Sequence, residues 1–143
     1  MGRLTYRGAV FPWHCDHMGH MNVMWYVGKM DEASANLFAS IGMTRAVMHE
    51  TGCVLGAVQQ NIAYKRELLA GDVVEVHSRV LEVRDKAIRF EHEMRHAVTG
   101  EVSATCEQTV LCIDANARKA RPFPEAVRAA AEAAIGEGGP AGD

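Results

Sequence analysis

The residues best placed to do chemistry lie between Pro12 and Tyr26, in the stretch PWHCDHMGHMNVMWY. Asp16, Cys15 and three histidines (His14, His17 and His20) share a short polar loop that runs directly into an amphipathic segment. The first amides of a helix have no partner within it, and their dipole favours negative charge. A carboxylate beside such donors is half of an acyl-transfer site. The carboxylate serves as base or nucleophile, and the amides receive the oxygen on which charge develops. His14, Asp16 and His20 also read as two histidines and a carboxylate around a metal. No fixed secondary structure makes them converge, so no metal is expected. Cys15 invites a thiolate reading, but its flanks do nothing to lower its pKa, and alternation points it away from Asp16.

The elements that must position this loop are legible from periodicity. Leu4 to Phe11 reads as a strand closed by Pro12, which cannot continue a ladder. Asn22 is a plausible N-cap for a helix with apolar or small residues at Val23, Val27, Met30, Ser34, Leu37 and Ile41, ended by Gly42. A second helical piece is expected near Thr44 to His49, then a strand from Val54 to Arg66 ending at the Leu68–Asp72 turn. Val74, Val76, Ser78 and Val80 alternate with polar residues. So do Ile88, Phe90, His92, Met94 and His96, and Val102, Ala104, Cys106, Gln108, Val110 and Cys112 share one face. Turns at Arg84–Lys86 and Thr99–Gly100 join these strands into an antiparallel meander with one apolar face for the helix to cover. The fold class is α+β. An open sheet leaves an edge to protect, which a second subunit would supply.

Composition sets the outer bounds. The chain has 143 residues, suited to one core, with 48% hydrophobic and 23% charged residues and a formal net charge of −3. That balance gives no general pull toward nucleic acid or an anionic membrane. No segment reads as a signal peptide or a membrane span, which makes the cytosol the expected compartment. The four cysteines form no CxxC pair. Cys106 and Cys112 read as small core residues. Residues 1–124 are expected to form the domain. Residues 125–143 would add a short Ala-rich helix, Glu125 to Ile135, and a disordered GEGGPAGD tail.

Asp16, Gly19, His20, Asn22 and Tyr26 follow the spacing D-x-x-G-H-x-N-x-x-x-Y, with Asp31, Glu32 and Ala33 downstream in the helix. With Asn61-Ile62-Ala63-Tyr64, the Ala70-Gly71-Asp72 turn and the Val110 to Pro122 close, the chain resembles the hotdog-fold acyl-CoA thioesterases of the 4-hydroxybenzoyl-CoA type. The resemblance covers Tyr6 to Pro124. It implies a long central helix wrapped by a mainly antiparallel sheet of five to six strands. It also implies hydrolysis of an acyl-CoA thioester without a cofactor, in a homodimer or homotetramer whose site lies between subunits. Val23 stands where most members carry a second Asn, so a side-chain role there is lost, whereas its backbone N–H is untouched.

The resemblance implies that Asp16 acts as general base or nucleophile and that the Val23 amide polarises the carbonyl. Asn22 would hold the water or the carboxylate, and His20 would orient Asp16 or line the pocket. Trp13, Trp25 and Tyr26 would line the acyl pocket, a partner's Asn61 would complete it, and Arg89 and Arg121, with Arg118 and Lys119, would meet the CoA phosphates. Each residue has a plainer reading: Asp16 as a turn former, His20 as a backbone ligand, the aromatics as packing, the basic residues as solvated charge, and His92 and His96 as satisfied core or interface groups. Two other functions share the fold, an enoyl-thioester hydratase or dehydratase and a non-catalytic acyl-thioester binding protein. The D-x-N-P-x-H pattern usual in the former is missing here, since DHMGH has neither its Asn nor its Pro.

Overall fold

The computed structural model describes residues 2–136. The chain runs β1 (Arg3–Ala9), a 3-10 turn (Pro12–His14), α1 (Val23–Ser40), α2 (Arg45–Thr51), β2 (Cys53–Tyr64), β3 (Val73–Val83), β4 (Ala87–His96), β5 (Val102–Asp114) and α3 (Glu125–Ala134). The five strands form one antiparallel sheet in the order β1-β3-β4-β5-β2. The meander β3-β4-β5 is thus its centre and the two remaining strands are its edges. Alternation is the cause: Ile88, Phe90, His92 and Met94 are buried on β4, and the residues between them face outward. That outer face is a ladder of charge pairs such as Arg7–Glu75, Arg79–Glu91 and Arg89–Glu107.

The helix α1 lies across the inner face. Asn22 caps it through a side-chain oxygen that accepts the Met24 N–H, and Gly42 leaves it at φ +92°, a left-handed conformation that glycine adopts without a Cβ penalty. Two clusters fill the space beneath. One gathers Leu37, Phe38 and Ile41 with Phe90, Val110 and Phe123, and α3 closes it with Val127 and Ala131. The other gathers Tyr26, Met30 and Ala33 with Met21, Leu68, Val74 and Met94. The C-terminal helix is therefore packed into the same core as the sheet. The GEGGPAGD tail, apart from Gly136, lies outside the described residues.

The first turns of α1 correct the expected stripe. Val23 is 55% exposed and Val27 half-buried, while Tyr26, Lys29 and Ala33 are buried in their place. The buried arc is rotated because its opening turn packs toward β1 and the β2–β3 turn, a direction that apolar spacing within the helix does not encode.

Between the two clusters runs a polar chain. His92 Nε2 lies 2.7 Å from Ser34 Oγ of α1, and its Nδ1 lies 2.5 Å from Ser78 Oγ of β3, which in turn meets Thr5 Oγ1 of β1 at 2.7 Å. His92 is thus a satisfied core residue, with burial pushing its pKa down to about 4. The sheet's two edges differ. Side chains of α1 blunt β1, where Asn36 Nδ2 donates to the Thr5 carbonyl and Lys29 Nζ to the Ala9 carbonyl. Strand β2 is bare, with every residue from Ala57 to Asn61 exposed on both faces. No helix of the described residues is long and apolar enough to cross a membrane.

Candidate active site

The loop ahead of α1 is built by its own backbone. The His14 ring turns under it, accepting the Phe11 N–H at Nδ1 (3.0 Å), and the His14 carbonyl accepts the Asn22 N–H (2.9 Å). Burial first, and the Lys29 charge second, lower the His14 pKa, so the ring is neutral with its proton on Nε2. The Met21 N–H donates to the Leu68 carbonyl at 2.7 Å, which anchors the loop to the β2–β3 turn. Gly19, at φ +87°, allows the chain to fold back so that the Asp16 N–H meets the His20 carbonyl at 3.2 Å.

This turn fixes the Asp16 carboxylate. Its Oδ1 accepts the Met18 N–H at 2.8 Å and its Oδ2 accepts Asn22 Nδ2–H at 2.9 Å. Asn22 first, and the Met18 amide second, hold the Asp16 carboxyl below its ordinary value of 3.8. Asp16 is therefore an anion at neutral pH, half-buried and aimed by an amide that is itself fixed, because Asn22 Oδ1 accepts the Met24 N–H at 2.9 Å. The Trp25 N–H is taken by the Asn22 carbonyl at 3.0 Å. Only the Val23 N–H among these first amides has no partner among the described residues. One residue, Asn22, thus joins a fixed carboxylate to a helix end that presents a free donor.

The other expected site residues fall into three groups. His20 contributes its carbonyl to the loop, while its Nε2 faces Glu67 at 3.7 Å. Tyr26 is buried, donates its hydroxyl to the Arg66 carbonyl at 2.9 Å and packs edge-on against Tyr64. Trp13 is 69% exposed and stacks in parallel on Phe11 at 4.6 Å. Asn61 is exposed on the bare strand β2. The remaining two are not brought to the loop by this chain. Arg89 sits on the outer sheet face and bonds Glu82 and Glu107, and Arg121 bonds Asp114 and the Thr51 carbonyl. Cys106 and Cys112 are buried, and burial pushes their thiols up to about 11 and about 12, which keeps them protonated. Among the described residues no group of three or more His, Cys, Asp or Glu side chains could hold a metal.

Lys29 is the residue that sequence reasoning missed. It is 3% exposed, with Nζ 3.1 Å from the Tyr6 hydroxyl and 3.2 Å from the Ala9 carbonyl. The signal was present: Lys29 sits three residues after Tyr26 and four before Ala33, inside the arc that the helix buries.

The sequence model of the Thioesterase-like superfamily matches residues 10–131. The L-carnitine dehydrogenase/betainyl-CoA thioesterase of Rhizobium meliloti (strain 1021) is 32% identical over 114 residues, which cover 80% of this chain and 23% of that protein. The chain thus spans about a quarter of that relative's length. The betainyl-CoA thioesterase of Pseudomonas aeruginosa is 26% identical over 129 residues, 90% of this chain and 81% of its own. Among solved structures, a protein of Staphylococcus aureus in complex with CoA superposes with a TM-score of 0.89 at 19% identity, covering 96% of this chain and 87% of the other. The same hotdog arrangement is therefore present in both. With a match over most of its length and this architecture beneath it, the chain belongs to the thioesterase-like superfamily.

Proposed function

We propose that the chain hydrolyses an acyl-CoA thioester to the free acid and CoA, with Asp16 as the reacting carboxylate and the Val23 amide as the oxyanion donor. The observation that carries this reading is the pairing of an ionised, doubly hydrogen-bonded Asp16 with the unpaired Val23 N–H, both held by Asn22. As a base, Asp16 takes a proton from water while the oxygen attacks the thioester carbon. The carbonyl oxygen becomes an oxyanion facing the Val23 N–H, and collapse expels CoA as a thiolate that takes up the proton. As a nucleophile, Asp16 attacks the same carbon, expels the thiolate and leaves a mixed anhydride for water to open. Label found in Asp16 after a single turnover in ¹⁸O water identifies the nucleophile route, with water opening the anhydride at the Asp16 carbonyl.

The bare β2 edge supports a second copy as the working partner, in a cytosolic homo-oligomer, with Asn61 of one copy reaching the loop of the other. The two relatives described above are named for betainyl-CoA, which brings acyl-CoA as a class to this chain. Thiol release from a panel of acyl-CoAs, compared between wild type and Asp16→Ala, tests the proposal. Release by wild type and near-complete loss in the variant are expected. No release from any acyl-CoA sinks the hydrolase reading, and equal rates sink the role of Asp16.

A further inference from the structure

We infer that the cavity between β1 and the first turns of α1 is the acyl subsite, and that Lys29 makes it select an acyl group ending in a carboxylate. The inference rests on the thioesterase reading above. The cavity measures about 490 Å³ and is walled by Tyr6, Phe11, Trp13, Trp25, Lys29 and Glu32 among others. Its wall on α1 lies on the same helical stripe as Asn22. Asn22, Trp25, Lys29 and Glu32 follow one another at steps of three, four and three, so they form one stripe that descends from the amide holding Asp16. Lys29 is seven residues below Asn22, about 10 Å along the helix axis, and its side chain leans back toward the helix start. An acyl group seated with its carbonyl at the Val23 amide would point its far end at Lys29.

The charge of that far end follows from what surrounds the ammonium. Lys29 is almost wholly buried, yet its two hydrogen-bond partners, the Tyr6 hydroxyl and the Ala9 carbonyl, are neutral. No carboxylate of a described residue forms an ion pair with it, Glu32 on the cavity wall included. A buried cation without a counter-charge is costly, and an anionic oxygen entering the cavity would offset that cost while taking the remaining N–H. Aromatic walls alone would also suit a quaternary ammonium. Here a second cation would meet the first, since Lys29 Nζ already lies 5.3 Å from the Tyr6 ring centre. The flat pair Phe11 and Trp13, parallel within 3°, favours a planar acyl group between its ends.

The test uses three CoA thioesters of one shape and different charge: 4-carboxybenzoyl-CoA, neutral 4-carbamoylbenzoyl-CoA and cationic 4-(trimethylammonio)benzoyl-CoA. Each kcat/KM is divided by the ester's rate of uncatalysed alkaline hydrolysis. The carboxylate should exceed both others by at least tenfold. Lys29→Met should bring the carboxyl-to-carbamoyl ratio near one, and Lys29→Arg should preserve the preference. Ratios within one preparation do not depend on the fraction folded, so a destabilised variant still reports. Equal rates for the three esters, a preference for the cation, or an unchanged ratio in Lys29→Met would overturn the inference. Quenching of tryptophan fluorescence by methyl 4-carboxybenzoate against methyl 4-carbamoylbenzoate reads the subsite without turnover. Tighter binding of the carboxylate that Lys29→Met abolishes supports the subsite even where no thiol is released, and in that case only the thioesterase reading fails. Equal binding of the two, or an unchanged preference in Lys29→Met, overturns the subsite.

Discussion

His92 makes the stability of the fold that carries the site depend on pH in a calculable way. The ring is fully buried on β4 and bridges Ser34 of α1 to Ser78 of β3, with no carboxylate bonded to it. Burial pushes its pKa down to about 4, against 6.5 in the unfolded chain. The folded state therefore resists the proton that the unfolded state takes up. The contribution of the neutral ring is complete above pH 6.5 and is lost as pH falls toward 4. At about 1.4 kcal/mol per pH unit, the loss between pH 6.5 and 4.5 comes to roughly 2.5 kcal/mol. His14 and His77 are also lowered by burial and add to the slope in the same direction, so wild type alone does not isolate His92. His92→Gln removes the titration and keeps a polar side chain between the two serines. At pH 7.5 this variant should be less stable than wild type by roughly 2–4 kcal/mol, for the buried hydrogen bonds it makes less well. At pH 4.5 the gap should narrow by roughly 2.5 kcal/mol. Urea unfolding followed by tryptophan fluorescence, at one fixed protein concentration, measures both gaps. A gap that stays constant between the two pH values would refute the account of a neutral, desolvated His92.

Other consequences follow from the same geometry. Asn22 lowers the Asp16 pKa, so Asn22→Asp, which keeps the cap acceptor but sets a second carboxylate against Asp16, should move the acid limb of kcat/KM to higher pH, and an unmoved limb would remove Asn22 from the site. In wild type that limb should lie below pH 3.8, because the carboxylate stays ionised down to its depressed pKa. Thr44 caps α2 by accepting the Val47 N–H, and Thr44→Ala should cost about 0.5–2 kcal/mol in urea unfolding with turnover unchanged. On the bare edge strand, Val58→Lys should weaken self-association measured by sedimentation, and wild-type mass in that variant would remove β2 from the interface.

Much of this architecture was legible in the chain. Alternation along Val74–Val80, Ile88–Met94 and Ala104–Cys112 marked the inward positions of the three central strands, and Asn22 and Gly42 marked the bounds of α1. Those signals are local, set by the period of a strand and the chemistry of a helix end. What stayed hidden depends on contacts distant in sequence. Lys29 is buried because Tyr6 and Ala9 of β1 come to it, and Val23 is exposed because the opening turn of α1 tilts toward β1. The Ser34–His92–Ser78–Thr5 chain joins four elements whose proximity only the closed fold provides. Within the site, the motif pointed to Asp16 and Asn22, but their 2.9 Å bond and the vacant Val23 N–H arise only in the folded loop.

The central claim is that a backbone donor at Val23 and the Asp16 carboxylate together open a thioester. Proline at the first helical position suits the helix, and Asn22 before it already has the extended backbone, φ −69° and ψ 148°, that a following proline requires. Val23→Pro therefore deletes the N–H and little else, while Val23→Ala changes the side chain and keeps the N–H. The direct measurement is kcat for thiol release in these two variants. A fall of roughly 10²- to 10³-fold in Val23→Pro is expected, with Val23→Ala close to wild type and both folded by circular dichroism. Wild-type turnover in Val23→Pro would contradict the account.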